Sequence, residues 1–272
     1  NPNPNSRAGA TTTTPLTTPH ATPSKKNAAP DNEAAGVSLL LQNFTQQSAT
    51  PLEHPTKVAF TVEQCLTPDE CTALINLSHT KGYQPALLNA GAAQILATDT
   101  RKSERCMIDD KALAAALYAR IEHLIPTTLT NPYNKKVFQP VGLNERLRFL
   151  KYNVGDYFVQ HMDGTYVRPM GHPQYGERSM LTYLVYLNED FDGGALAMEW
   201  QGNDSKKGQK GQRRGHVVHH IQPKCGEVVV HDHQILHEAM VVTKGTRYCI
   251  RTDVMFAPMK ASMDDGDAKN DK

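Results

Sequence analysis

The chain has 272 residues, with 29 Lys and Arg against 28 Asp and Glu and a net charge of +1. That balance lacks the basic excess or stripe of a general nucleic-acid binder. Apolar residues make up 39 %, below the usual globular share of about 45–50 %, so a folded part diluted by polar segments is expected. No apolar run reaches the roughly 18–20 residues of a membrane span. The five cysteines form no CxxC pair. Such a set reads as reduced thiols rather than a disulfide framework, and slightly favours a reduced intracellular compartment. The chain opens at Asn1 rather than Met, which is compatible with a trimmed signal or anchor. Oligomeric state is not legible.

In chain order, residues 1–56 come first. Eight of the 17 prolines fall within the first 55 residues, beside the Thr11–Thr14 run and with no aromatic before Phe44. That composition cannot bury enough apolar surface to offset its ordering entropy, so a disordered tail or linker is expected, with a short patch at Val37–Leu41 able to dock. Residues 57–259 then read as one domain, with its helices within 57–126. Residues 260–272 read as a flexible polar tail. The domain opens with a strand at 58–62. A helix follows from Pro68, with Thr67 as N-cap, Glu70 completing a capping box and Gly82 as the stop. A second helix is predicted over 110–124, with Leu113, Leu117, Ile121 and Leu124 as its stripe and Pro126 after it.

From Asn144 the hydrophobic period changes to two. Strands are predicted at 146–152, 157–162, 180–188, 195–200, 216–222, 227–231, 239–242 and 246–256, separated by Gly, Pro and Asp turns. Short strands behind a helical block predict a mainly β fold with supporting helices, a two-sheet jelly roll. The interruption at 201–215 is Gly-rich and carries Lys206, Lys207, Lys210, Arg213 and Arg214. It reads as an exposed, solvated loop, with contact to an acidic partner or nucleic acid as the less favoured reading.

Chemistry concentrates at His161-x-Asp163. Residues i and i+2 of a strand share a face, so an imidazole and a carboxylate there can meet one metal ion. Two His and one carboxylate on one face of a metal form the facial triad of non-haem Fe(II) oxygenases, which leaves positions open for co-substrate and O₂. The third ligand is sought 74 residues beyond Asp163, at His237, just past a predicted strand. His231 and His233 compete for that role. Zn²⁺ is the runner-up metal, since it takes the same donors. An oxygenase using 2-oxoglutarate also needs a cation for the distal carboxylate of that acid. Arg247, ten residues after His237 and beyond a Lys244–Gly245 turn, has the planar fork that suits it. The histidines flanking the basic loop, His216, His219 and His220, read as surface residues. The cysteines read as small packed side chains.

The stretch from about Phe60 to Phe256 resembles the 2-oxoglutarate/Fe(II)-dependent dioxygenase superfamily, prolyl 4-hydroxylase-like branch. The most specific block is Tyr152-x-x-Gly155-x-x-Phe158-x-x-His161-x-Asp163. Leu181 to Asn188 followed by Gly193-Gly194, Pro223-x-x-Gly226 before His237-Glu238, Gly245-Thr246-Arg247-Tyr248 and Arg251 to Phe256 continue the pattern. Leu196 and Met198 stand where the branch often has Thr and Phe. Arg at 247 is shared with oxygen-sensing prolyl hydroxylases, whereas many collagen-type members have Lys.

The resemblance implies a double-stranded β-helix in which His161, Asp163 and His237 bind iron. It implies that Arg247 binds 2-oxoglutarate, assisted by Tyr186, with Tyr152 and Thr182 lining the same pocket. O₂ would be the second co-substrate, with room for ascorbate as a reductant. Peptidyl proline hydroxylation with release of succinate and CO₂ is the implied reaction, which makes a protein or peptide the expected partner. A small molecule or a nucleic-acid base as substrate, and a non-catalytic jelly-roll binding module, are the alternatives. Alternation puts Arg247, Cys249, Arg251 and Asp253 on one face of the last strand. Arg251 is therefore expected near the iron and the substrate mouth, with Asp253 or substrate as its partner.

Overall fold

The period-two pattern of the second half of the chain folds into two antiparallel sheets facing each other, in a computed structural model that describes residues 30–90, 93–131, 134–201 and 216–259. The larger sheet has ten strands. Its central order is Ala59–Val62, Val228–Asp232, Arg178–Tyr186, Arg247–Pro258, Arg146–Tyr152 and Glu104–Asp109. The smaller sheet has five, in the order His216–Ile221, Leu196–Gln201, Leu236–Ala239, Tyr157–His161 and Arg101–Lys102. This is the expected jelly roll.

Alternation gives the larger sheet two different faces. Leu147, Phe149, Leu181, Tyr183, Val185, Val228, Val230, Ile250, Val254 and Phe256 are buried on one side, in a core shared with Leu74, Leu77, Leu113, Leu117 and Ile121 of the helical layer. Each such side chain contributes about 1.5–3 kcal/mol of burial. The alternate residues, including Leu150, Tyr152, Tyr186, Val229 and Cys249, point at the smaller sheet and pack with Leu196, Met198 and Trp200. The space between the sheets is therefore where a site can form.

The helices form largely where the punctuation predicts. Pro68–Lys81 begins at Thr67, whose hydroxyl accepts from the Glu70 N–H (3.3 Å), while the Thr67 N–H donates to Glu70 Oε2 (2.7 Å). Lys111–Ala119 ends one turn early and continues as a short 3₁₀ turn at Glu122–Leu124.

Three expectations are corrected. The sequence predicts a disordered tail through residue 56, yet Pro30–Leu40 is helical and contacts both other helices. Ala34, Ser38 and Leu41 are buried there, so the Val37–Leu41 patch docks and enough apolar surface is covered to order it. The strand predicted at 239–242 is Leu236–Ala239 instead, with a separate short strand at Val242–Lys244. His237 thus lies within a strand rather than past it. The strands Glu104–Asp109 and Val137–Leu143 were not predicted, because their pairing to Arg146–Tyr152 and Arg247–Pro258 is decided by partners far along the chain. Residues 1–29, 202–215 and 260–272, and with them the basic loop, lie outside the described residues. No helix among the described residues is long and apolar enough to cross a membrane.

Gly226 fixes the approach of the Val228–Asp232 strand. Its φ is +78°, and a Cβ there would come within 1.9 Å of the Leu66 carbonyl oxygen. Only glycine tolerates both the conformation and the contact.

Candidate active site

Three side chains converge between the sheets. His161 ends the strand Tyr157–His161, and His237 stands directly across from it on Leu236–Ala239. Asp163 lies just beyond the strand, so its position is set by a loop contact rather than by strand alternation: its N–H donates to the His233 carbonyl (3.0 Å). One ligand atom from each of His161, Asp163 and His237 lies within 4.8 Å of the others, the one such cluster among the described residues. His237 Nε2 is 3.8 Å from Asp163 Oδ2, and His161 Nε2 is 4.0 Å from Asp163 Oδ1.

The second contacts of these groups suit a metal. His161 Nδ1 faces the Val159 carbonyl at 2.8 Å, and His237 Nδ1 faces the Ile235 carbonyl at 2.9 Å. A carbonyl only accepts, so each Nδ1 carries the proton and each Nε2 keeps its lone pair for a metal. Burial, with help from the neighbouring His237, depresses the His161 imidazole to about 4, so it is neutral at physiological pH. His237 is lowered as well, chiefly by burial. Asp163 is held well below the usual carboxylate range: burial opposes this, but Arg251, the His237 and His231 imidazoles and the Thr182 hydroxyl outweigh it. Thr182 Oγ1 donates to Asp163 Oδ2 (2.5 Å), and Arg251 Nη2 lies 3.0 Å from Asp163 Oδ1. Each carboxylate oxygen has a second lone pair left for a cation. Two neutral imidazoles and an ionised carboxylate are the donor set an Fe(II) site requires.

A cavity of about 510 Å³ extends from this cluster between the sheets. Arg247, 2 % exposed, sits deep in it, with its guanidinium carbon 3.9 Å from the centre of the Tyr152 ring. One Nη donates to the Gly194 carbonyl (2.5 Å), but Nε is buried with no partner among the described residues. A buried donor left open costs about 1–3 kcal/mol, and a carboxylate bound there would satisfy it. Tyr152, Thr182 and Tyr186 all line the cavity, as do Arg251 and Asp253. The Tyr186 hydroxyl is pushed above its ordinary range by burial, so it stays protonated and able to donate. The alternation expected for the last strand is found. Arg251 lies beside the metal cluster with Asp253 as a partner, as expected, and it also pairs with Asp163, each at 3.0 Å.

The rival histidines separate. His233 is buried outside the cavity, with Nε2 3.4 Å from Asp253 Oδ1. His231 does line the cavity and meets the His237 ring edge-on at 4.6 Å, but it is not in the ligand cluster. His219 stacks on Trp200. All five cysteines are free and four are buried.

Three charged cavity residues are not among those the sequence singles out: Arg101, Arg105 and Arg148. Arg148 was findable, since it alternates with Leu147 and Phe149 on a predicted strand. Arg105 sits on an unpredicted strand, and Arg101 on a two-residue one.

Residues 147–252 match the 2OG-Fe(II) oxygenase superfamily model. No curated protein matches the chain. Solved structures with partial similarity include a prolyl-4-hydroxylase from Pseudomonas putida, at 19 % identity and TM-score 0.46, covering 81 % of this chain and 98 % of that one. A viral collagen prolyl hydroxylase from Paramecium Bursaria Chlorella virus-1 matches at 17 % identity and TM-score 0.42, over 73 % and 96 %. A Trichoplax adhaerens prolyl hydroxylase, solved with a hypoxia inducible factor oxygen degradation domain peptide fragment, matches at 14 % identity and TM-score 0.47, over 85 % and 93 %. The matched family segment contains all three clustered ligand residues and Arg247. Over residues 147–252 the chain is thus similar to the 2OG-Fe(II) oxygenase superfamily, and the His161, Asp163 and His237 cluster within that segment fits Fe(II) and 2-oxoglutarate chemistry.

Proposed function

We propose that this chain hydroxylates a peptidyl proline, with His161, Asp163 and His237 as the Fe(II) ligands and Arg247 as the anchor for the distal carboxylate of 2-oxoglutarate. The observation that carries the reading is the pairing of two features in one cavity. A neutral His, His, carboxylate cluster lies at one place, and a buried guanidinium with an open donor lies deeper. When bound, Fe(II) supplies the redox chemistry that couples O₂ and 2-oxoglutarate to a substrate C–H bond, giving C–OH, succinate and CO₂.

The chain's own residues do the positioning. Arg247 holds the co-substrate by its far end, backed by the Tyr152 ring, while the Tyr186 hydroxyl offers a further donor. Thr182 and Arg251 fix the rotamer of Asp163, so its carboxylate stays aimed at the metal position.

The prolyl substrate rests on the resemblance of the 152–163 block to the prolyl 4-hydroxylase-like branch. The surface beside the cavity supports a peptide. Met162 and Tyr166 line the cavity and are exposed, and Val167, Met170 and Tyr175 continue an apolar strip along the same segment. The test is succinate release from 2-oxoglutarate with Fe(II) and ascorbate, followed by mass spectrometry of proline-containing peptides for a gain of one oxygen. Succinate release that His161→Ala, Asp163→Ala and His237→Ala each abolish is expected. Turnover near wild type in any of them removes that residue from the ligand set. Turnover with hydroxylation only of non-prolyl compounds removes the prolyl reading.

A further inference from the structure

Charges lining the cavity alternate outward from the ligand cluster. Asp163 pairs with Arg251 at 3.0 Å, Arg251 with Asp253 at 3.0 Å, and Asp253 with Arg148 at 3.4 Å. Beyond Arg148 the alternation stops. Arg105 comes next, opposite Leu150 on the neighbouring strand, and Arg101 faces it from the smaller sheet, opposite Phe158. Neither has an acidic partner among the described residues. Arg105 reaches only the Leu87 carbonyl, at 3.5 Å. Arg101 donates to the Ser103 hydroxyl and lies over the Phe158 ring. The segment 86–96, which supplies Leu87 and Leu88 to the cavity wall, contains no Asp or Glu.

The balance of the whole cavity points the same way. Five arginines line it against two carboxylates, Asp163 and Asp253. A divalent metal and dianionic 2-oxoglutarate offset each other, so a surplus of positive charge is left facing the remaining space. Keeping several guanidiniums together without counter-charge is costly. Burial, and then repulsion from Arg101, Arg148 and Arg146, holds the Arg105 guanidinium below its ordinary range. A surplus of guanidiniums in the wall of a reaction cavity is suited to an anion, because a guanidinium fork matches a carboxylate or phosphate.

We propose that the substrate is anionic, with a carboxylate or phosphate close to the oxidised carbon and held between Arg105 and Arg148 beside Arg101. This deepens the peptidyl reading above and rests on it: the residue flanking the oxidised one is acidic or phosphorylated. It also separates this site from the 2-oxoglutarate anchor, since Arg247 is stacked on Tyr152 while the unpaired arginines come from Glu104–Asp109 and Arg101–Lys102.

The experiment titrates the full chain, loaded with Fe(II) and 2-oxoglutarate without O₂, against four nonapeptides with a central proline. They differ only in the flanking residue: Glu, phosphoserine, Gln or Lys. Affinity for the Glu or phosphoserine peptide at least about tenfold above the Gln peptide is expected, with Lys weakest. The ranking of the two anionic peptides tells carboxylate from phosphate. Arg105→Gln should cut the preference to about twofold, and Arg105→Glu should turn it toward Lys. Equal affinity of all four, or binding by none, overturns the proposal on wild-type protein alone, whether or not a variant folds. Admitting O₂ separates the two readings. A tight acidic peptide that gains no oxygen while succinate is released leaves the anion site standing and removes proline as the oxidised residue.

Discussion

Arg251 Nη2 and Asp163 Oδ1 are 3.0 Å apart, which joins a strand of the larger sheet to a carboxylate just beyond the Tyr157–His161 strand of the smaller one. The same guanidinium reaches Asp253 Oδ1, also at 3.0 Å. Arg251 therefore orients the carboxylate of the cluster rather than simply facing a substrate. Arg251→Ala is expected to weaken metal binding by about 10–100-fold, the usual cost of losing an outer-shell partner. Titration with Co²⁺, followed by its visible absorption, measures this directly. Unchanged metal affinity with impaired peptide binding would instead make Arg251 a substrate contact.

Arg247→Ala should raise the apparent KM for 2-oxoglutarate steeply. A bidentate, charge-assisted contact to a buried carboxylate is worth roughly 1.5–3 kcal/mol, or roughly 10–100-fold. Arg247→Lys should recover part of it, because it restores charge without the fork. Steady-state succinate release across 2-oxoglutarate concentrations is the measurement. Equal KM for wild type and Arg247→Ala would place the anchor elsewhere.

The segment leading from Asp163 back to Arg178 is pinned by Arg168, which is nearly buried and bonds Glu145 through both Nη atoms (2.9 and 2.7 Å) and Glu177 through Nε (3.0 Å). The Arg168 hydrogen bonds depress the Glu145 carboxyl to about 2. A carboxylate whose folded pKa lies below its unfolded value adds stability that is full above about pH 4.5 and is lost as pH falls toward 2. Melting temperature should therefore drop across that window, and less steeply in Glu145→Gln. Arg168→Ala should cost several kcal/mol, about 3–5, because two carboxylates lose their partner. A melting temperature of Arg168→Ala within a degree of wild type would contradict this.

Glu70 and Arg120 form a second buried unit, each 3 % exposed at the side chain, with Nη2 2.5 Å from Oε1. Arg120 also donates to the carbonyls of Cys65 (2.6 Å) and Leu41 (2.8 Å). Truncation through residue 50 removes Leu41 and one of those acceptors. The melting temperature should fall by roughly 5–10 °C, from about 2–3 kcal/mol at about 2–4 °C each. Thermal unfolding of the truncated chain checks this, and an unchanged midpoint would mean that the first helix is dispensable.

The sequence by itself determined what is local. The Thr67–Glu70 capping box, the strand Arg146–Tyr152 and the one-face set Arg247, Cys249, Arg251 and Asp253 are written in spacing of a few residues, so they were legible. The cluster residues His161 and Asp163 are legible as a pair, and His237 through the block that follows it. Contacts between distant segments were decided by tertiary structure alone. Leu41 ends a short apolar patch inside a stretch whose composition reads as tail, and its burial is settled by Arg120 and the other helices that meet it. Asp163 keeps its place through the His233 carbonyl and Arg251, 70 and 88 residues away. Arg105 entered the cavity only because Glu104–Asp109 pairs with Arg146–Tyr152, a choice made by packing and not by its own short, ambiguous run. Burial and charge surplus are properties of assembled neighbours, and no window of sequence contains those neighbours.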